Sequence, residues 1–418
     1  MGRWDLTALT INGIIGSGIF GVPSAVAKLL GISSPIAFVV CAAIVYIFVL
    51  CFAEVASYFT ETGGPYLYGQ TAFGPFVGFE VGWSVWLARV SAFAANSNVL
   101  VLYLGFFLPR ATHGWGRAVV LTVVTLLLAL INIRGIRAGA RVGNAFAAMK
   151  VGVLSLFAIT GLFFVDWSRF KGFGLPDSTN FGAAVLLLIY VFTGFEYAVI
   201  PAAEAKDPKK HLASALIGGL GICAAIYITV QVVALGTVPN LAESQRPLAD
   251  AGRNFLGPVA GALIALTVCV SVIGNLSAMM LISPRLTYAF AKGGDFPAVF
   301  ANLHARRGTP VVSIIFFSAT ALVLAISGSF AWLATISVIA RLTSYAVTCA
   351  AIPVLRKRSD LKPGFQLPFA NGFAVLGVGL CVWLVMQTTR WDIAVFLLAA
   401  LVGGCLRAGV RLQGAGVS

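Results

Sequence analysis

Carboxylates are scarce in this chain. Asp and Glu together number 14 among 418 residues, against 28 Lys and Arg, and only 10% of residues are charged. A soluble domain carries about 25% charged residues. So small a charged fraction leaves too little polar surface to wrap a water-soluble core, which excludes a soluble enzyme or binding module. Histidine is nearly absent, with three residues, none set among Cys and carboxylates at ligand spacing. No metal and no cofactor is therefore expected. The seven cysteines form no CxxC pair and all sit in apolar runs, where a free thiol behaves as a small hydrophobe. No P-loop or other catalytic constellation occurs, so nothing points to an enzyme.

What is present is apolar. Mean hydropathy is +0.96, and 59% of residues are hydrophobic. Continuous runs such as "AVVLTVVTLLLALINI" and "LIGGLGICAAIYITVQVVALG" suit helices that cross a bilayer, which need about 20 apolar residues each. A membrane barrel instead shows alternating segments of about ten residues. The expected fold class is an all-α polytopic membrane protein. Twelve spans are predicted, at 5–30, 34–59, 76–108, 117–134, 141–165, 181–203, 211–237, 256–284, 310–327, 331–354, 370–389 and 391–408. The first apolar stretch lacks a suitable cleavage motif and is expected to stay as a span.

The net charge of +14 looks at first like a nucleic-acid signal, but its distribution argues otherwise. With these spans, 17 Lys and Arg fall on one side of the membrane and eight on the other, leaving Arg89, Lys150 and Arg341 within spans. Positive loops stay in the cytoplasm. The expectation is a multi-pass protein of the cell (plasma or inner) membrane with both termini cytoplasmic. Its basic loops would meet lipid headgroups, and no nucleic acid is expected as a partner. Two connections on the cytoplasmic side, 61–75 and 283–310, mix aromatics, Gly and Pro and read as short interfacial helices.

Two spans are interrupted. Span 1 carries "INGIIGSGIFGVP" (11–23), and span 6 carries "YVFTGFEYAVIP" (190–201). Glycine inside a helix costs about 1 kcal/mol relative to alanine. Gly18 and Gly194 lie 176 residues apart, and twice that length, 352 residues, falls in the last residues of span 10. Ten spans thus divide into two halves of five, each opening on a broken helix. An odd number of spans per half makes the halves inverted in the membrane. The expected organisation is a first repeat at 1–165, an inverted repeat at 181–354 and two accessory spans at 370–408. Paired broken helices in inverted repeats mark the midplane site of a transporter.

An unwound turn exposes backbone groups that a continuous helix consumes. At 15–19 the amides of Ser17, Gly18 and Ile19 would open the second half-helix and suit a carboxylate, with Gly16 letting a ligand approach the main chain. Carbonyls freed at Ile14, Tyr190 and Thr193, beside Gly194, would suit an ammonium.

The segments "NGIIGSGIFGVP", "AEVASYFTETGGPYLYGQTAFGPFVGFEVGW" and "FTGFEYAVIPAAEAKDPKK" resemble the amino acid–polyamine–organocation (APC) superfamily of secondary transporters. The resemblance runs from span 1 to about span 10. It implies the five-plus-five inverted-repeat fold of the leucine-transporter type, and amino acids or related amines as substrates. It matches the substrate-contact pattern to Ile14, Gly16, Ser17, Gly18, Ile19, Tyr190, Thr193 and Gly194. It also implies a gate at Tyr190, with Phe192 a further candidate. Lys150 on span 5 matches a lysine that stands in for sodium in some members, and Glu196 matches a glutamate that responds to protons. Lys150 and Glu196 are thus the candidate coupling residues, and transport is expected to be sodium-independent, by proton symport or substrate exchange. Neutral amino acids are favoured, because Glu196 is the one evident carboxylate near the site. A polyamine or amine carrier, an amino acid exporter and a transporter-like amino acid sensor remain as alternatives. Arg89 calls for a partner from another helix, such as Glu54 or Glu196.

Overall fold

Hydrocarbon offers no partner to a backbone N–H or C=O, so a spanning chain must satisfy its own backbone, and helices do so. A computed structural model of the chain describes residues 3–59, 64–135, 140–176, 178–196, 208–361 and 363–415, and among them there is no β-strand. The helices are α1 (Arg3–Ile14), α2 (Gly18–Leu30), α3 (Ser34–Ala56), α4 (Pro65–Phe73), α5 (Pro75–Leu104), α6 (Gly114–Ile133), α7 (Ala140–Leu162), α8 (Ser178–Phe192), α9 (Pro208–Thr237), α10 (Pro247–Ile282), α11 (Pro284–Lys292), α12 (Val311–Ser327), α13 (Phe330–Leu355), α14 (Ala370–Val385) and α15 (Arg390–Ala415). Seven described segments are long and apolar enough to cross a membrane, and further apolar helices of 10–17 residues accompany them.

Local sequence explains many boundaries. Proline opens α4, α5, α10 and α11, where its missing N–H costs nothing because a first-turn amide has no helical partner. Inside α10, Gly257 adopts φ +83° ahead of Pro258. The helix therefore stops and restarts there, which matches the expected start of span 8 near residue 256. The second half of predicted span 6 (197–203) and most of the basic run 203–210 lie outside the described residues.

The core is built around α5, which packs most extensively against α13. Ser337 of α13 donates to the Ala88 carbonyl of α5 at 2.8 Å, and elsewhere on α5 Trp86 stacks on Trp83 with ring centroids 4.8 Å apart and on Phe316 of α12 at 5.1 Å. The outer helices present Leu, Val and Ile outward, as Leu397, Leu398, Leu401 and Val402 do on α15, which is the surface a bilayer solvates. The interfacial helices expected in 61–75 and 283–310 are α4 and α11, and they meet through Tyr66 and Phe290, 6.2 Å between rings. Just beyond α11, buried Asp295 accepts hydrogen bonds from Arg407 at 2.8 Å and Arg411 at 2.9 Å, tying α15 to this side of the bundle. All seven cysteines are free, six of them buried; Cys405 is exposed on α15.

Candidate functional site

The first break lies at Ile15–Ser17, between α1 and α2. Its backbone is re-satisfied only in part. The Ile15 amide still donates to Ile11 O (2.8 Å) and the Gly16 amide to Ile14 O (2.7 Å). Among the described residues no backbone acceptor closes on the amides of Ser17, Gly18 or Ile19, as a helix N-terminus requires. Two carbonyls are taken by side chains from distant helices. Lys150 Nζ, 6% exposed on α7, donates to Ile15 O at 3.0 Å, and Tyr227 Oη on α9 donates to Ile14 O at 2.9 Å. Ser17 Oγ is buried without a hydrogen-bond partner among the described residues.

The second break follows α8 at Thr193–Gly194. Here the chain dresses itself. Thr193 Oγ1 donates to Tyr190 O at 2.8 Å, and the Gly194 amide donates to Glu196 Oε2 at 2.8 Å. Gly194 has φ +112°, and a Cβ there would overlap the Gly13 carbonyl, so glycine is required on both counts. That closeness also shows the two breaks in contact. Gly18 lies less closely against the Tyr190 ring, which would stand 3.1 Å from a Cβ at that position.

Between the breaks lies a cavity of about 480 Å³. Ile14, Gly16, Ser17, Gly18, Lys150, Tyr190, Thr193 and Gly194 all line it, so eight sequence-predicted residues from α1, α2, α7 and α8 share one chamber. Three do not. Ile19 is buried but one position inside α2, turned away from the chamber. Phe192 packs behind the wall on Tyr227, with ring centroids 5.3 Å apart. Glu196 opens onto a second, smaller cavity of about 50 Å³, which Arg89 and Tyr66 also line. Its carboxylate is ion-paired with Arg341 and accepts from Tyr345 Oη at 3.3 Å. Glu54, the other candidate partner of Arg89, is held by Arg356 through two hydrogen bonds of 2.7 and 3.0 Å.

The far wall is polar in a way the sequence only hinted at. Asn96 on α5 donates to Asn275 Oδ1 on α10 at 3.0 Å, and Tyr190 Oη donates to Asn96 Oδ1. Asn12 completes the amide lining, and Met279 supplies an apolar patch. Tyr227 was not among the expected residues. A single tyrosine in the apolar run "AAIYITVQVV" carries no signal of the carbonyl it meets 213 residues away.

A polytopic helical membrane protein with a largely apolar chamber that carries a few polar groups between two broken segments has the form of a small-molecule transporter. The chain matches the amino acid permease family over residues 1–404, and it belongs to that family. It is similar to the methylthioribose transporter of Bacillus subtilis (strain 168), 28% identical with 92% of this chain and 87% of the relative covered. The same organism's branched-chain amino acid permease BcaP is also 28% identical, covering 96% and 91%. Its serine/threonine exchanger SteT is 28% identical, covering 94% and 92%. The protein is an amino acid transporter of the membrane and not an enzyme.

Proposed function

We propose that the chain moves amino acids across the membrane by alternating access as a secondary active transporter. It works without sodium, by proton symport or substrate exchange, and prefers neutral amino acids. In this reading twelve spans form two inverted repeats of five, 1–165 and 181–354. Accessory spans follow at 370–408, and both termini are cytoplasmic. The substrate carboxylate lies against the amides of Ser17, Gly18 and Ile19 and the Ser17 hydroxyl. Its ammonium faces the carbonyl edge of the breaks at Ile14, Tyr190 and Thr193. Tyr190 is the gate, its ring lying against Gly18, and Phe192 supports it from behind.

The observation that carries this reading is the bond from Lys150 Nζ to the Ile15 carbonyl, at 3.0 Å and out of water. A fixed ammonium at an unwound turn supplies the positive charge and the donors that a bound cation would otherwise bring. Glu196, the second coupling candidate, adjoins the second break through the Gly194 amide. The neutral preference is supported by the absence of any carboxylate from the described residues lining the chamber.

The test is uptake of labelled amino acids into proteoliposomes under a sodium gradient, a proton gradient, or internal substrate alone. A thio-sugar is added as a competitor because of the relative named for one. Uptake unchanged by sodium and abolished by Lys150→Ala is expected. Uptake that rises with sodium and survives Lys150→Ala defeats the reading.

A further inference from the structure

Arg341 on α13 stands on the wall of both cavities, the large chamber and the small one beside it. On the small-cavity side its guanidinium is ion-paired with Glu196, and both residues are buried, 7% and 8% exposed. Glu196 is the one carboxylate among the described residues lining either cavity. It sits two residues past the second break, and its oxygens also accept from the Gly194 amide at 2.8 Å and from Tyr345 Oη at 3.3 Å. Arg89 faces the same small cavity. The chamber wall therefore presents two cations, Lys150 and Arg341, while the neighbouring negative charge is already engaged.

We infer that Arg341 is a specificity-determining residue: by engaging Glu196 it withholds the one nearby carboxylate from the chamber, and so excludes amino acids with cationic side chains. This rests on the transport reading above and adds its charge selectivity. The physical basis is the cost of a buried charge without a counter-ion. A lysine or ornithine side chain entering the chamber would leave water and meet the Lys150 ammonium, with no carboxylate left to pair it because Arg341 already holds Glu196. A neutral side chain loses no charge solvation. The same pair makes selectivity convertible in either direction. Removing the guanidinium exposes a carboxylate one wall away from the substrate, and removing the carboxylate leaves Arg341, on the chamber wall, without that counter-ion.

The test is competition in proteoliposomes, with leucine or serine uptake challenged by ornithine and by glutamate. In the wild type neither competitor is expected to inhibit appreciably. In Arg341→Gln, ornithine should compete roughly tenfold more strongly, a factor equal to about 1.4 kcal/mol. Arg341→Gln/Glu196→Gln should return ornithine to exclusion, and Arg341→Lys should retain it, since an ammonium also engages the carboxylate. Glu196→Gln should let glutamate compete. Size-exclusion profiles in detergent identify variants that fold. Strong inhibition of the wild type by ornithine overturns the inference with no variant needed. So does a folded Arg341→Gln that still excludes ornithine, or a double variant as open to ornithine as the single one. Should Arg341→Gln not fold, Glu196→Gln decides by binding instead of uptake, because Glu196 is also a coupling candidate: a folded Glu196→Gln that gains no thermal stability from glutamate overturns the inference. A wild type that neither moves a neutral amino acid nor gains thermal stability from one defeats the transport reading itself, and this inference with it.

Discussion

The two chain breaks meet at one chamber, yet they are finished in different ways. At the first, the exposed carbonyls of Ile14 and Ile15 are taken by side chains of Tyr227 and Lys150, from helices far along the chain. At the second, the Tyr190 carbonyl and the Gly194 amide are taken by Thr193 and Glu196, at most three residues away. A break finished by its neighbours is a local structure that its own sequence can hold. A break finished from afar depends on the assembled bundle, and motion of α7 or α9 changes its exposed groups. In the transport cycle proposed above, the first break therefore responds to α7 and α9, while the second, apart from the Tyr190 ring that gates it, is the wall against which it works.

The largest effect that sharpens this contrast is expected at the fixed wall. Gly194→Ala must place a side chain at φ +112° and against the Gly13 carbonyl. Positive-φ strain alone costs about 1–3 kcal/mol, and the overlap adds to it, so folded yield and melting temperature in detergent should fall sharply. A melting temperature near wild type would show that the wall is not rigid. Next in size is Lys150→Met, which removes a charge-assisted hydrogen bond worth about 1.5–3 kcal/mol. Uptake should fall ten- to hundredfold, the same energy read as a ratio, and normal uptake would break the idea that the first break needs its distant donor. Tyr227→Phe takes away one neutral donor, worth about 1 kcal/mol. A several-fold loss of uptake with little change in melting temperature is expected, because the ring still packs on Phe192. Smallest is Thr193→Val, which frees the Tyr190 carbonyl into a chamber where substrate or water can take it. A change below about 1 kcal/mol in thermal stability is expected. A larger effect there than at Tyr227 would reverse the contrast between the breaks.

How much of the site could be read from the chain follows from the same difference. Gly16, Ser17, Gly18, Tyr190, Thr193 and Gly194 were legible because glycines in apolar helices, repeated at one interval, leave a pattern in one dimension. Ile19 was read for its amide alone: α2 has already begun at Gly18, and each helical step turns a side chain by about 100°, which carries the Ile19 side chain off the chamber. Phe192 is two steps from Tyr190 on α8, about 200° around the axis, so the two rings face opposite ways and only Tyr190 lines the chamber. Arg341 and Glu196 were each visible as costly charges inside the membrane, but 145 residues separate them, and nothing in their spacing pairs them.

The amino-acid sequence by itself determined that this protein lives in a membrane, that it is helical, that two segments must unwind and that Lys150 is a charge in need of a partner. Those conclusions rest on composition, run length and local backbone cost, all of which are properties of neighbours along the chain. Only the tertiary structure decided that the two breaks touch, that Lys150 reaches the Ile15 carbonyl and Tyr227 the Ile14 carbonyl, and that Arg341 pairs with Glu196. Each of those is a contact between helices packed at distances of a few ångströms, and packing is settled by the shape of all the side chains at once.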